Sequence, residues 1–259
     1  MKNTVKNIIS AKGNTKLTML TAYDALFASL ADEAGADIIL VGDSLGNTVL
    51  GYKSTVPVTM EDMLHHSAAV VRGVEKAFVV ADIPFAIAHK KFDVLLDASA
   101  RLVQEAGVDA VKIEGGKKMA KKISKLTEAG IAVMAHIGLE PQQVMKLGGY
   151  RKFGKTDEEK QSLLDDAKAL EEAGAFSLVM EMTDPDLAAE ITREISIPTI
   201  GIGSGPSCDG QVLVCADVLG FTQNPPKFVK KYADLRSQTL EAYAQFIGDV
   251  KLSNFPPSK

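Results

Sequence analysis

Short apolar runs rich in Val, Ile and Leu alternate along this chain with longer segments in which apolar positions recur every three or four residues. That switching of period is the signature of repeated strand–helix units rather than of a β-sandwich. Strands are predicted at 17–23, 38–42, 78–81, 110–113, 132–135, 178–180, 199–202 and 218–221. Helices are predicted near 24–34, 60–72, 92–106, 117–129, 158–173, 185–194, 209–215 and 233–250. Their ends carry signals: Thr59 followed by Asp62 reads as a capping box, and Gly35, Gly73, Gly107, Gly130 and Gly174 fall where helices should stop. Eight strands with eight crossovers predict an α/β fold of the closed (β/α)8 TIM barrel type, although a doubly wound open sheet satisfies the same pattern.

Several of the apolar runs end in an acid: Asp43, Asp82, Glu114 and Glu181. Parallel strands bring their C-terminal ends to one edge, so four carboxylates gather there, and crowded negative charge calls for a cation or a proton. Asp43 and Asp82 end neighbouring strands and are predicted to share a hard divalent ion such as Mg2+, with Glu114 reaching it directly or through water. Any one of these acids alone reads better as a helix cap or an ion-pair partner. Three on consecutive strands read better as a metal site, because unpaired acids at one edge are costly.

Lys112 stands two positions before Glu114, so both side chains face the barrel interior. There it either holds a substrate carboxylate or enolate oxygen, or pairs structurally with Glu114 or Asp82. His136, just past the fifth predicted strand, either donates a hydrogen bond to the same substrate or is a satisfied strand-end histidine. Glu181 lies roughly opposite Asp43 and Asp82 around the ring. It is the candidate base for taking a proton from carbon, the alternative being a salt-bridged acid without a chemical role. The connections 44–59 and 138–157 are longer than usual, carry glycines and follow strand C-termini, so they are expected to overhang the mouth as lids.

Other features rank lower. Gly201-Ile202-Gly203-Ser204-Gly205 departs from the dinucleotide fingerprint and reads as a tight turn. The adjacent His65 and His66 point to different helix faces, and the lysines at 117, 118, 121 and 122 read as a solvated helix face. Neither a nucleophile elbow nor a P-loop is present.

At 259 residues, 46% hydrophobic and 24% charged, the chain suits one barrel-sized domain spanning 1–259. A net charge of −4 offers no general attraction to nucleic acid. Two cysteines without C-x-x-C spacing fit a reducing compartment. The first ten residues hold no apolar export core and no stretch is long enough to span a membrane, so a cytoplasmic protein is expected.

Val41-Gly42-Asp43-Ser44-Leu45-Gly46, Ser54-Thr55-Val56-Pro57-Val58-Thr59, Val111-Lys112-Ile113-Glu114-Gly115-Gly116, Ala135-His136-Ile137-Gly138-Leu139 and Cys208-Asp209-Gly210-Gln211-Val212-Leu213-Val214 occur in order. Together they resemble the ketopantoate (3-methyl-2-oxobutanoate) hydroxymethyltransferase family, over about residues 17 to 235. The resemblance implies a barrel of the phosphoenolpyruvate-binding superfamily. It also implies transfer of a hydroxymethyl group from 5,10-methylenetetrahydrofolate to 3-methyl-2-oxobutanoate through a metal-stabilised enolate, giving 2-dehydropantoate in pantothenate biosynthesis. It further implies Mg2+ at Asp43, Asp82 and Glu114, oxo-acid contacts from Asp43, Ser44, Asp82 and Lys112, Glu181 as proton acceptor, and a homo-oligomer, commonly a decamer.

Asn47, Ser204 and Ala216 depart from the residues expected in that family and leave folate affinity more open than oxo-acid chemistry. Two other readings compete. A metal-dependent lyase of the isocitrate lyase or phosphonopyruvate type uses similar acids but typically a lid cysteine, which 138–157 lacks. A non-catalytic metabolite-binding barrel gives no reason for Glu181 to face the metal.

Overall fold

The computed structural model describes residues 1–149 and 151–257. Eight parallel strands close into a barrel in chain order: β1 (Leu17–Thr21), β2 (Ile38–Val41), β3 (Phe78–Asp82), β4 (Ala110–Glu114), β5 (Val133–Gly138), β6 (Ser177–Glu181), β7 (Thr199–Ile202) and β8 (Gly210–Leu213). The open-sheet alternative is thereby excluded. The chain forms two compact units, Met1–Val212 and Leu213–Lys259.

The helices between the strands lie close to the expected positions, among them Ala25–Glu33, Met60–Gly73, Asp157–Glu172 and Pro185–Glu194. Their starts follow from local chemistry. Thr59 and Asp62 form the reciprocal capping box, which answers two of the backbone N–H groups that a helix start leaves open. The predicted helix at 92–106 is α-helical over Phe92–Arg101, widens to a π turn over Leu102–Ala106, and ends at Gly107 with φ +79°.

The last strand is a correction. The sequence pattern predicts it at 218–221 after a helix at 209–215, whereas Gly210–Leu213 is the strand and Cys215–Val218 a short helix. Gly210 misleads because glycine is depleted in strands, and here it opens one. Here it is required, since a Cβ would meet the Leu17 carbonyl oxygen and Ile200 Cδ1, each at 2.6 Å. The apolar Val218–Phe221 run ends that short helix, and Gly220 (φ +76°) turns the chain where a Cβ would strike the Ala233 carbonyl.

Inside the barrel, the period of two sends Ile38, Leu40, Phe78, Val80, Ala110, Met134, Val179 and Ile200 into one apolar cluster. Ile8, on the capped Val5–Ser10 helix, joins that cluster at 1% exposure. The alternate residues, including Ile39, Val79, Val111, Ile113 and Leu178, are also buried. Burial on both faces explains why these strands read as continuous apolar runs.

In the second unit, helix Leu235–Lys251 has no buried residue and exposes Leu240, Tyr243, Ile247 and Val250 at helical spacing. Among the described residues no helix is long and apolar enough to cross a membrane.

Candidate active site

The apolar cluster fills the lower part of the barrel, and the same inward rows continue upward as polar residues. On β3 the row Phe78, Val80 ends at Asp82; on β4 Ala110 is followed by Lys112 and Glu114; on β5 Met134 by His136; on β6 Val179 by Glu181. Register brings them side by side, pairing Asp82 with Lys112 and Glu114 with His136. Asp43 stands two residues beyond β2, and its backbone N–H donates to Asp82 Oδ2 at 3.0 Å. Gly42 leaves room for the Ser44 hydroxyl, because a Cβ there would lie 2.7 Å from Ser44 Oγ.

A line of polar groups crosses the mouth from this pair to Glu181. Lys112 Nζ is 2.8 Å from Asp82 Oδ1 and 3.1 Å from His136 Nδ1, and His136 Nε2 is 3.5 Å from Glu181 Oε2. Burial and the Lys112 charge push the His136 pKa well below its usual value, so the ring is neutral. A neutral ring that accepts from the Lys112 ammonium at Nδ1 carries its proton on Nε2, toward Glu181. The approach of His136 to Glu181 is therefore not an ion pair, and Nε2 has no hydrogen-bond partner. Lys112 itself is held charged: burial opposes its charge, but Asp82, Glu114 and Asp43 together raise its pKa.

The acids pay for their crowding in proton affinity. Burial, then the charge of Asp82, pushes Asp43 up to about 7 against the pull of Lys112 and of bonds from Gln142 and Thr55. Burial raises Glu114 well above its usual value. Glu181 is pushed up to about 8 by burial, with Asp43 and Asp82 adding to the effect and Lys112 opposing it. Its side chain nonetheless keeps 17% exposure, which leaves the carboxyl open to a ligand in the mouth.

All the residues singled out from the sequence lie in this neighbourhood. Ser44 does so through its hydroxyl, 2.8 Å from Tyr23 Oη. Three neighbours were missed: Tyr23, Thr55 and above all Gln142. Gln142 Nε2 donates to Asp43 Oδ2 and to the Ile83 carbonyl, each at 2.9 Å, while its backbone N–H donates to Glu114 Oε2 at 3.1 Å. The available signal was a polar side chain just after Pro141 in a long connection leaving a strand C-terminus.

The fit to a divalent cation rests on Asp43 and Asp82. Asp82 Oδ1 is buried, and among the described residues its one close polar contact is the ion pair with Lys112 at 2.8 Å. Hard carboxylate oxygens brought this close together suit an ion such as Mg2+. Among the described residues no three of His, Cys, Asp and Glu are grouped as a ready ligand set.

The two long connections are folded rather than loose. In the first, Leu45–Thr48 is a short helix and Asn47 donates to the Tyr52 carbonyl, which gives this unexpected residue a structural task. The second contains turns at Pro141–Gln143 and Val144–Leu147 and returns to the barrel where Phe153 bonds to Met182 and Asp184; Tyr150 lies outside the described residues. Ser204, another departure, is fully buried, donates to the Met180 carbonyl and accepts from Thr183 N–H, bracketing Glu181. His65 and His66 stack edge to face on the Met60–Gly73 helix, and His66 Nδ1 lies 2.6 Å from the Tyr23 carbonyl.

Comparison with known proteins identifies the family. The chain is 51% identical over 255 residues to 3-methyl-2-oxobutanoate hydroxymethyltransferase of Caldivirga maquilingensis, covering 98% of this chain and 96% of that one. It is 56% identical over 245 residues to the protein of the same name from Carboxydothermus hydrogenoformans, covering 94% and 89%. In fold it resembles 2,3-dimethylmalate lyase, a PEP mutase/isocitrate lyase superfamily member, with TM-score 0.62, 15% identity, and coverage of 100% of this chain and 91% of the other. The profile of the ketopantoate hydroxymethyltransferase family matches residues 2–258, and the chain belongs to that family of transferases.

Proposed function

We propose that this protein transfers a hydroxymethyl group from 5,10-methylenetetrahydrofolate to 3-methyl-2-oxobutanoate, giving 2-dehydropantoate for pantothenate biosynthesis. The observation that carries this reading is the polar line Asp82–Lys112–His136–Glu181, which joins a paired-acid site to a carboxyl on the far side of the mouth. Asp43 and Asp82, with Glu114 behind them, are the proposed holders of Mg2+. When bound, that ion supplies Lewis-acid polarisation of the keto oxygen, which acidifies C3.

The chain's own residues do the rest. Ser44 and the Lys112 ammonium orient the oxo acid, and Lys112 opposes the negative charge that develops on its oxygen. His136, neutral and carrying its proton on Nε2, donates toward the substrate or Glu181. Glu181, as the carboxylate, takes the C3 proton. Water takes the one-carbon unit from its two nitrogens, both C–N bonds breaking and both water protons going to the freed nitrogens of departing tetrahydrofolate. C3 then bonds to that formaldehyde-level carbon, whose oxygen takes the proton held by Glu181 and becomes the hydroxyl. The two folded connections limit access of bulk water to the reactive carbon.

We further propose one cytoplasmic barrel enzyme assembled as a homo-oligomer, supported by the exposed apolar row on Leu235–Lys251. Exchange of the C3 proton of 3-methyl-2-oxobutanoate into D2O tests the chemistry. Mg2+-dependent exchange without tetrahydrofolate is expected, and Glu181→Gln should lower it by about three orders of magnitude. Unchanged exchange in that variant removes Glu181 as the base, and no exchange in the wild type removes the enolate chemistry itself.

A further inference from the structure

We infer that Gln142 is a positioning residue that couples closure of the connection after β5 to the geometry of the acid pair. Three bonds meet at this one residue, and they tie four things together. Its amide grips Asp43 Oδ2 and the Ile83 carbonyl, its backbone N–H holds Glu114 Oε2, and its neighbours are the turns of the connection itself. Gln142 is 7% exposed, whereas Met145 three residues on is 80% exposed, so the connection is anchored at Gln142 and presents Met145 to solvent.

The anchor is built by local chemistry. Pro141 starts the Pro141–Gln143 turn, where its fixed φ suits the first position. Gly138 at φ +91° lets the chain leave β5 against Glu181, since a Cβ there would lie 2.2 Å from the Glu181 carbonyl oxygen. Leu139 N–H then donates to that carbonyl at 2.8 Å and its side chain is fully buried. The first residues of the connection are thus fixed, and Gln142 is delivered across the mouth to strands β2 and β3.

The amide donates both of its hydrogens, one to Asp43 and one to the Ile83 carbonyl that follows Asp82. This fixes which Asp43 oxygen is engaged and holds the carboxylate plane relative to Asp82. Groups that hydrogen-bond to metal-binding carboxylates set their orientation, and losing one typically weakens metal affinity about 10- to 100-fold. Because coupling is reciprocal, a cation that favours the held orientation of Asp43 must also favour the closed connection.

The inference deepens the proposed cation site and rests on it. Two readouts test it without turnover: Mg2+ affinity by calorimetry, and trypsin cleavage after the exposed Lys146. In the wild type, Mg2+ alone should slow that cleavage about tenfold, within the usual range of site-to-site coupling. Gln142→Met keeps length and volume but removes both donors. It should bind Mg2+ about 10- to 100-fold more weakly, and its cleavage should be fast and indifferent to Mg2+. Gln142→Asn, which keeps an amide of shorter reach, should behave as Met does. Wild-type Mg2+ affinity in Gln142→Met, or wild-type cleavage at saturating Mg2+ equal to that without it, overturns the coupling while leaving the cation site intact. A wild type that takes up no Mg2+ overturns the site and this inference together, a result distinct from the other two.

Discussion

The two ends of the barrel use carboxylates in opposite ways. At the end where strands begin, an aspartate precedes three of the even-numbered strands and accepts a backbone N–H from the strand before: Asp37 from Thr18, Asp109 from Val79, and Asp209 from Thr199. Asp32 goes further and accepts from Glu75, Lys76 and Ala77. Burial would raise Asp32 and Asp209, but these bonds, with Lys12 at 2.8 Å from Asp209, hold both below the usual carboxylate value. At the other end, Asp43, Glu114 and Glu181 are raised, because burial and mutual repulsion exceed what Lys112 and Gln142 return. The lower acids have donors enough and serve stability. The upper acids lack them, and that shortage leaves them open to a cation, a substrate or a proton.

The sharpest way to break this contrast is to neutralise one acid at each end. Glu181→Gln is expected to lower C3-proton exchange by about three orders of magnitude, the scale of a lost general base, while raising the melting temperature near pH 8. Asp32→Ala should do the reverse. It leaves three backbone N–H groups without their acceptor, at a cost of about 3 kcal/mol in denaturant unfolding, with exchange per folded molecule unchanged. Loss of exchange in Asp32→Ala at full folding would contradict the division of labour.

The pH dependence of stability separates the ends next. Depressed Asp32 and Asp209 contribute stability that is present above their unfolded value of about 4 and is lost as pH falls through their folded pKa. The raised acids have the opposite sign. Their contribution is full below about 4 and is lost as pH rises through about 7 for Asp43 and about 8 for Glu181. Metal-free protein should therefore melt at lower temperature as pH rises toward about 8, and Mg2+ should flatten that slope. A slope untouched by Glu181→Gln would show that the upper acids are not its source.

The smallest expected effect concerns how the base is held. Met182, next to Glu181, has φ +48°, a strained value for a side-chain-bearing residue, and Ser204 braces the segment through Met180 and Thr183. Ser204→Ala should cost about 1 kcal/mol of stability and lower the exchange rate a few-fold without altering Mg2+ affinity. Equal exchange rates would reduce Ser204 to packing.

Most of the architecture was legible in the chain because it follows from local rules. Runs buried on both faces announced the strands, glycines and the Thr59 box marked the helix ends, and acids at strand ends announced the mouth. The eighth strand was not legible, because Gly210 is needed for a close approach to Leu17 that exists only once the barrel closes. Gln142 escaped for a related reason: its partners Asp43 and Glu114 are 99 and 28 residues away, and no spacing within the chain records that meeting.

The sequence by itself determined the period of the elements and which acids end the strands, since these depend on side-chain type and on neighbours a few positions away. Only the tertiary structure decided which carboxylates are starved of donors, which nitrogen of His136 faces Glu181, and that a glutamine from a distant connection bonds both Asp43 and Glu114. Those outcomes depend on burial and on distances across the mouth, and both come into being only when the ring is closed.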